Sequence, residues 1–164
     1  MHIYDLKEMY IAELHELVSV EQQLENALLR MAEASSHASL RALLEQHGRE
    51  TIVQAERLRA MLQKHGADQQ LGTDQAMQAL INETEKMFEV LKEDSLRDVG
   101  IIASAQKVEH YEIAAYGTAA ALAGQLELRE DQRLLHNSLE QEKRMDELLT
   151  RLAKTEINQD AIAA

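Results

Sequence analysis

Carboxylates stand where leucines are expected in this chain. Followed at alternating three- and four-residue steps, one apolar stripe runs Leu14, Leu17, Glu21, Leu24 and another runs Leu43, His47, Glu50, Gln54, Leu58. A third runs Ile102, Ala105, Glu109, Glu112, Tyr116, Ala119, and a fourth runs Leu135, Leu139, Glu142, then Met145 or Asp146, then Leu149. Each stripe is interrupted midway by an acid. Several carboxylates in one core layer cannot all stay ionised without compensation, because a buried charge is costly and like charges repel. Lysine and arginine are missing from these positions, which leaves protons or metal cations as the positive partner. Oxygen donors from facing helices are the ligands of di-iron and di-manganese centres. There, one Glu from each of two helices joins a Glu and a nearby His from each of the other two.

Other polar residues on the stripes are weaker candidates. His47, one turn before Glu50, reads as a donor to a ligand or an ordinary core histidine in preference to a ligand. Gln54, one turn after Glu50, either binds through its carbonyl oxygen or hydrogen-bonds a ligand. Tyr116 follows Glu112 at helical spacing, where it can support a ligand or simply pack. His110 and Tyr111 are rotated off the stripe, toward an interface or the surface. His2, His15, His37, His65 and His136 read as surface or helix-end residues, and the seven methionines as core filling.

Positioning these acids requires long helices, and the composition supplies them. The chain has 164 residues, no proline, six glycines and 3% aromatic residues, with Ala, Leu, Glu, Gln, Lys and Arg dominant. This predicts an all-α single domain with its core over residues 3–155. The expected helices are 3–33, 38–65 up to Gly66, a shorter one opened by Thr73 or Asp74 with Met77, Leu80, Ile81, Phe88 and Leu91 on its apolar face, 96–126, and 131–155. A flexible polar tail that frays is expected beyond. In an antiparallel hairpin turning near residue 36, Glu21 and Glu50 are each about 15 residues from the turn, so they share a level. Glu112 and Glu142 are likewise each about 15 residues from a turn near 127–129. The segment joining the hairpins holds its own helix and is long enough to cross the bundle. The expected fold is thus a ferritin-like four-helix bundle, up-down-down-up, with one shorter crossover helix.

The absence of cysteine rules out disulfides, thiolate zinc sites and iron–sulfur clusters, so any metal must sit on carboxylate and imidazole. A formal charge of −12 argues against nucleic acid or an anionic membrane as partner. The N-terminal “MHIYDLKEMY” lacks a signal-peptide pattern and no window is apolar enough to span a bilayer, which predicts a cytoplasmic protein.

The segments “LVSVEQQL”, “EQHGRETIVQAERL”, “AQKVEHYEIAAYGT” and “LEQEKRMDELL” resemble the bacterial ferritin-like proteins of the YciE/YciF type, over residues 3–155. The most specific part is “KVEHYEIAAYGT”. The resemblance implies a rubrerythrin-related bundle, usually dimeric, tied to bacterial stress responses and to a metal pair, with no established reaction. It places the first-helix ligand on Glu21, the second-helix ligand on Glu50, a Glu-x-x-Glu pair on Glu109 and Glu112, and a bridging acid on Glu142. It also marks departures. Val53, beside Gln54, stands where such sites carry histidine, and so does Met145, beside Asp146.

The expectation is a metal-binding protein holding two Fe or Mn ions on Glu21, Glu50, Glu109, Glu112, Glu142 and Asp146. Its role would be stress or oxidative defence, by peroxide reduction or dismutation. Without cysteine, reduction would need an external electron donor. The competing expectation is a non-enzymatic helical homodimer whose carboxylate layer is vestigial or holds protons and water. Iron storage would instead require a large cage.

Overall fold

A computed structural model describes residues 2–67 and 72–164. The helices are α1 (Leu6–Ala34), α2 (Ala38–Lys64), α3 (Gln75–Val90), α4 (Asp94–Gln125) and α5 (Arg129–Leu152). Part of the loop-like stretch before α3 lies outside the described residues. Local chemistry sets the ends. Asp5 caps α1 by accepting from the Glu8 amide at 2.8 Å, and Asp74 caps α3 by accepting from the Met77 amide at 2.7 Å. Gly66 closes α2 at φ 65, the left-handed conformation that the Ala67 N–H to Leu62 carbonyl bond of 3.0 Å requires.

Helices α1 and α2 form one hairpin, α4 and α5 the other, and α1 packs on α4 while α2 packs on α5. Directions follow from the end contacts. The α1–α2 turn meets the start of α4, where Asp98 accepts from the Ser35 hydroxyl at 2.9 Å and from the Ser36 and His37 amides at 3.0 Å each. The opposite ends of α1 and α2 meet the start of α5, where Asp131 accepts from Tyr10 at 3.0 Å. The order is therefore up, down, down, up, as expected. Helix α3 begins partway along the bundle, with the Asp74 amide donating to Ser19 of α1 at 2.9 Å and Tyr111 of α4 donating to the Asp74 carboxylate at 2.7 Å. Its Met77 and Ile81 face the core, Leu80, Phe88 and Leu91 are half-buried, and Leu91 occupies the space that a side chain at Gly100 would need.

Beyond residue 155, where a polar tail is expected, the chain is helical. Helix α5 continues through a π-helical turn (Ala153–Ile157) into α6 (Asn158–Ala163), because Ile157, 1% exposed, adds an apolar anchor that a polar tail would lack. No described helix is long and apolar enough to cross a membrane.

The core divides in two. Val20, Leu24, Leu28, Leu44, Ile102, Ala105 and Leu149 belong to one apolar cluster; Tyr10, Leu14, Leu58, Tyr116, Ala119 and Leu135 belong to the other. The polar layer lies between them. Asp98 ties the α1–α2 turn to α4, so Asp98→Ala should lower stability by about 2–3 kcal/mol, the cost of a lost cap and orphaned donors. Urea unfolding at neutral pH measures this, and a loss within error of zero would refute the assignment.

Candidate metal centre

Four helices each bring a polar group to the gap between the apolar clusters. Helix α1 contributes Glu21, α2 contributes His47, α4 contributes Glu109 and Glu112 one turn apart, and α5 contributes Glu142. The four glutamates are 0% exposed and His47 is 1% exposed. One ligand atom from each of His47, Glu109, Glu112 and Glu142 lies within 4.8 Å of the others. His47 Nε2 is 3.0 Å from Glu109, 3.8 Å from Glu142 and 3.9 Å from Glu112.

Glu21 joins the layer through Tyr116, whose hydroxyl donates a short hydrogen bond to its Oε1. Gln54, also 0% exposed, does the same for Glu142 Oε1 through its side-chain amide. Apart from the His47 Nε2–Glu109 Oε1 ion pair, what remains is unpartnered: Oε2 of Glu109, both oxygens of Glu112, Oε2 of Glu21 and of Glu142, and Nδ1 of His47. Buried oxygens without donors are rare in folded proteins, and hard cations satisfy them directly. The donor set, carboxylate with one imidazole, fits iron or manganese. This group can hold a metal ion.

Two expected ligands are elsewhere. Glu50 is half-exposed and accepts from Gln46 at 3.0 Å. The buried face of α2 runs Leu40, Leu44, His47, Thr51, Gln54, Leu58, so Glu50 is turned aside from it by most of a quarter turn, at about 100° per residue. Starting that stripe at Leu44 instead of the half-buried Leu43 would have found the phase. Asp146 likewise faces away, 21% exposed, accepting from Gln106 at 2.9 Å and lying 3.5 Å from His110. Met145 takes the core position. His47 faces the three acids of the layer, and Thr51, 0% exposed with an unpartnered hydroxyl, lies one turn beyond it on the same face.

Electrostatics follow from burial. Burial pushes the Glu21 carboxyl up to about 8, with the Tyr116 hydrogen bond and His47 opposing the rise. Burial holds Glu112 and Glu142 well above the usual carboxylate range, and the neighbouring acids add to it. For His47 burial acts downward, but Glu109, Glu142 and Glu21 outweigh it and leave the imidazole at about 9. Burial and Glu21 keep the Tyr116 hydroxyl protonated, as its role of donor requires.

Comparison with known proteins extends this picture. The domain of unknown function DUF892 matches residues 5–162. Protein YciF of Escherichia coli strain K12 is 38% identical over 165 residues, covering 98% of each chain. The crystal structure of this E. coli stress protein matches at a TM-score of 0.90, covering 95% of this chain and 99% of that one. YcfI of Rhodopseudomonas palustris, a suggested structural protein, matches at 0.87 with 32% identity, over 90% and 94% of the two chains. A protein of Xanthomonas campestris pv. campestris matches at 0.75 with 20% identity, over 96% and 94%, and shares the fold.

The raised values set a direction for stability. A group that holds its proton more tightly when folded stabilises the fold fully below its unfolded pKa, and that contribution is lost as pH rises through the folded one. For Glu21 the window runs from 4.5 to about 8, and for His47 from 6.5 to about 9. The metal-free chain should therefore melt roughly 5 °C or more lower at about pH 9 than at about pH 5.5. Calorimetry across that range tests it, and a melting temperature that rises with pH would contradict the layer's protonation.

Proposed function

The chain belongs to the DUF892 family, and from that premise we propose that its bundle core is a carboxylate-rich dinuclear iron or manganese centre serving stress or oxidative defence. The observation that carries this reading is the set of unpaired oxygens on Glu109, Glu112, Glu142 and Glu21 facing His47 in a sealed layer. Charge supports a pair of ions: the four carboxylates balance two divalent cations with His47 neutral. Bound there, such ions supply reversible one-electron chemistry suited to reducing or dismutating peroxide.

The protein's own contribution is geometry and exclusion. Glu109, Glu112, Glu142 and His47 would be the ligands, with Glu21 completing the layer. Tyr116 and Gln54 fix Glu21 and Glu142 by donating to one oxygen of each. The apolar clusters on either side keep bulk water from the layer. With no cysteine in the chain, turnover by reduction draws on an external electron donor, whereas dismutation needs none. We place this activity in a cytoplasmic homodimer, so a dimer-sized peak on a sizing column is expected in place of a cage.

A second reading has one observation in its favour, the raised values of Glu21, Glu112 and His47, which let protons alone neutralise the layer of a structural helical module. Metal content separates the two. Protein purified without chelators should carry iron or manganese, and reconstituted protein should consume peroxide; a chain that stays metal-free after reconstitution would favour the structural module. In addition, Glu112→Gln should weaken Mn²⁺ binding by at least about tenfold while making the stability of the metal-free chain less sensitive to rising pH, since an amide of the same shape has no proton to lose. Unchanged binding with an unchanged pH dependence of stability would remove Glu112 from the centre.

A further inference from the structure

A second polar cluster lies at the opposite end of the bundle from the α1–α2 turn, away from the carboxylate layer. Asp131, in the first turn of α5, is 1% exposed. Its Oδ2 accepts from Tyr10 at 3.0 Å and lies 2.6 Å from His65 Nε2, while its Oδ1 accepts from Lys64 at 2.9 Å. The other ring nitrogen of His65, Nδ1, is 2.8 Å from Lys7 Nζ. An ionised carboxylate only accepts, so Nε2 carries the proton toward Asp131 and the Nδ1 lone pair is left for Lys7. Amine, imidazole and carboxylate thus stand in line, in the arrangement of a nucleophile, its base and the group that orients the base.

A cavity of about 350 Å³ opens beside this line, bordered by His2, Lys7, Glu8, Ile11, His65 and Ala67. Lys7 Nζ also sits 5.2 Å from the centre of the Tyr10 ring, and the His65 ring meets that ring edge-on. These contacts fix the base against the amine. Burial lowers the Lys7 pKa, opposed by Asp131 and reinforced by Lys64, which favours the free amine.

We propose that Lys7, His65 and Asp131 form a carbonyl-capture site, in which the Lys7 amine makes a reversible imine with a small aldehyde seated in this cavity. The Lys7 lone pair forms a bond to the carbonyl carbon, and the carbonyl π pair moves to oxygen. A nitrogen proton passes to His65 Nδ1, with Asp131 stabilising the imidazolium, and returns to the oxygen to give the carbinolamine. Loss of water then yields the imine, so amine and aldehyde give imine and water with no oxidant or reductant. Acyl transfer would need oxyanion donors as well as a base. Ile11 and Ala67 offer an apolar wall to a short alkyl or aryl group.

A purely structural clamp makes the opposite prediction, since Lys7 is half-buried while Lys92 and Lys107 are exposed and would react first. The full chain would be incubated with benzaldehyde and cyanoborohydride, and labelling at every lysine quantified by peptide mass spectrometry. Lys7 should be labelled at least about tenfold faster than Lys92 or Lys107, and His65→Asn, with its fold verified by circular dichroism, should bring Lys7 down to their rate. Labelling of Lys7 no faster than of the exposed lysines would overturn the proposal, as would a folded His65→Asn chain in which Lys7 keeps its advantage. The wild-type comparison decides by itself if that variant does not fold.

Discussion

Four carboxyl groups sealed into one layer against a single imidazole are the constraint to which the rest of this structure answers. Removing an ion from water costs several kcal/mol even after relaxation, and four acids in mutual contact multiply that cost. A bundle tolerates such a layer only if its remaining core is apolar and continuous on both sides. That is the arrangement seen: leucine-rich clusters above and below, with the small residues Ala105, Ala119, Ala120 and Ala123 letting α4 approach its neighbours. The acids sit midway along helices of 24 to 32 residues, far from the helix ends where solvent would relieve them.

Two other buried acids show how the chain satisfies a carboxylate that ties helices together. Asp98 is met by backbone amides and serine hydroxyls at one end of the bundle. Asp131 is met by tyrosine, lysine and histidine at the other. Each joins elements distant in sequence, and each has donors for its oxygens. The central glutamates are buried as deeply yet lack most of theirs. Structural acids come with donors, and the contrast sets the middle layer apart as a place kept for something else.

Much of this was legible in the sequence, for a physical reason. Long, proline-free helices with an unbroken apolar period announce both the fold and the level of its interruptions, so the stripes of α1 and α4 were read residue for residue, Glu21, Glu109, Glu112 and Tyr116 included. Helix α2 was harder. Its face offers leucines at both 43 and 44, and starting from the first keeps His47 and Gln54 on the stripe but puts Glu50 there in place of Thr51. Helix α5 left Met145 and Asp146 open because each continues the period after Glu142, and only packing distinguishes them. At the end of the chain a π-helical turn shifts the phase of the following residues, which hides Ile157 from any fixed period. The partners of Asp131 were invisible for a different reason. They bring together three helix ends whose proximity depends on the whole topology.

The two side chains that donate into the layer also divide its labour. Tyr116 occupies one oxygen of Glu21, and Gln54 occupies one oxygen of Glu142, so each of these acids retains a single free oxygen. Glu112 has no hydrogen-bond donor on either oxygen and Glu109 meets only His47, and the two lie one turn apart on the same helix. A hydrogen bond to one oxygen fixes the orientation of the whole carboxylate, so Glu21 and Glu142 are the held acids of the layer. The α2 side chains Gln54 and His47 therefore do more than fill space. They tie down the carboxylate of α5 and set an imidazole at the centre, leaving α4 as the element whose two glutamates are free to adapt to whatever charge the layer receives.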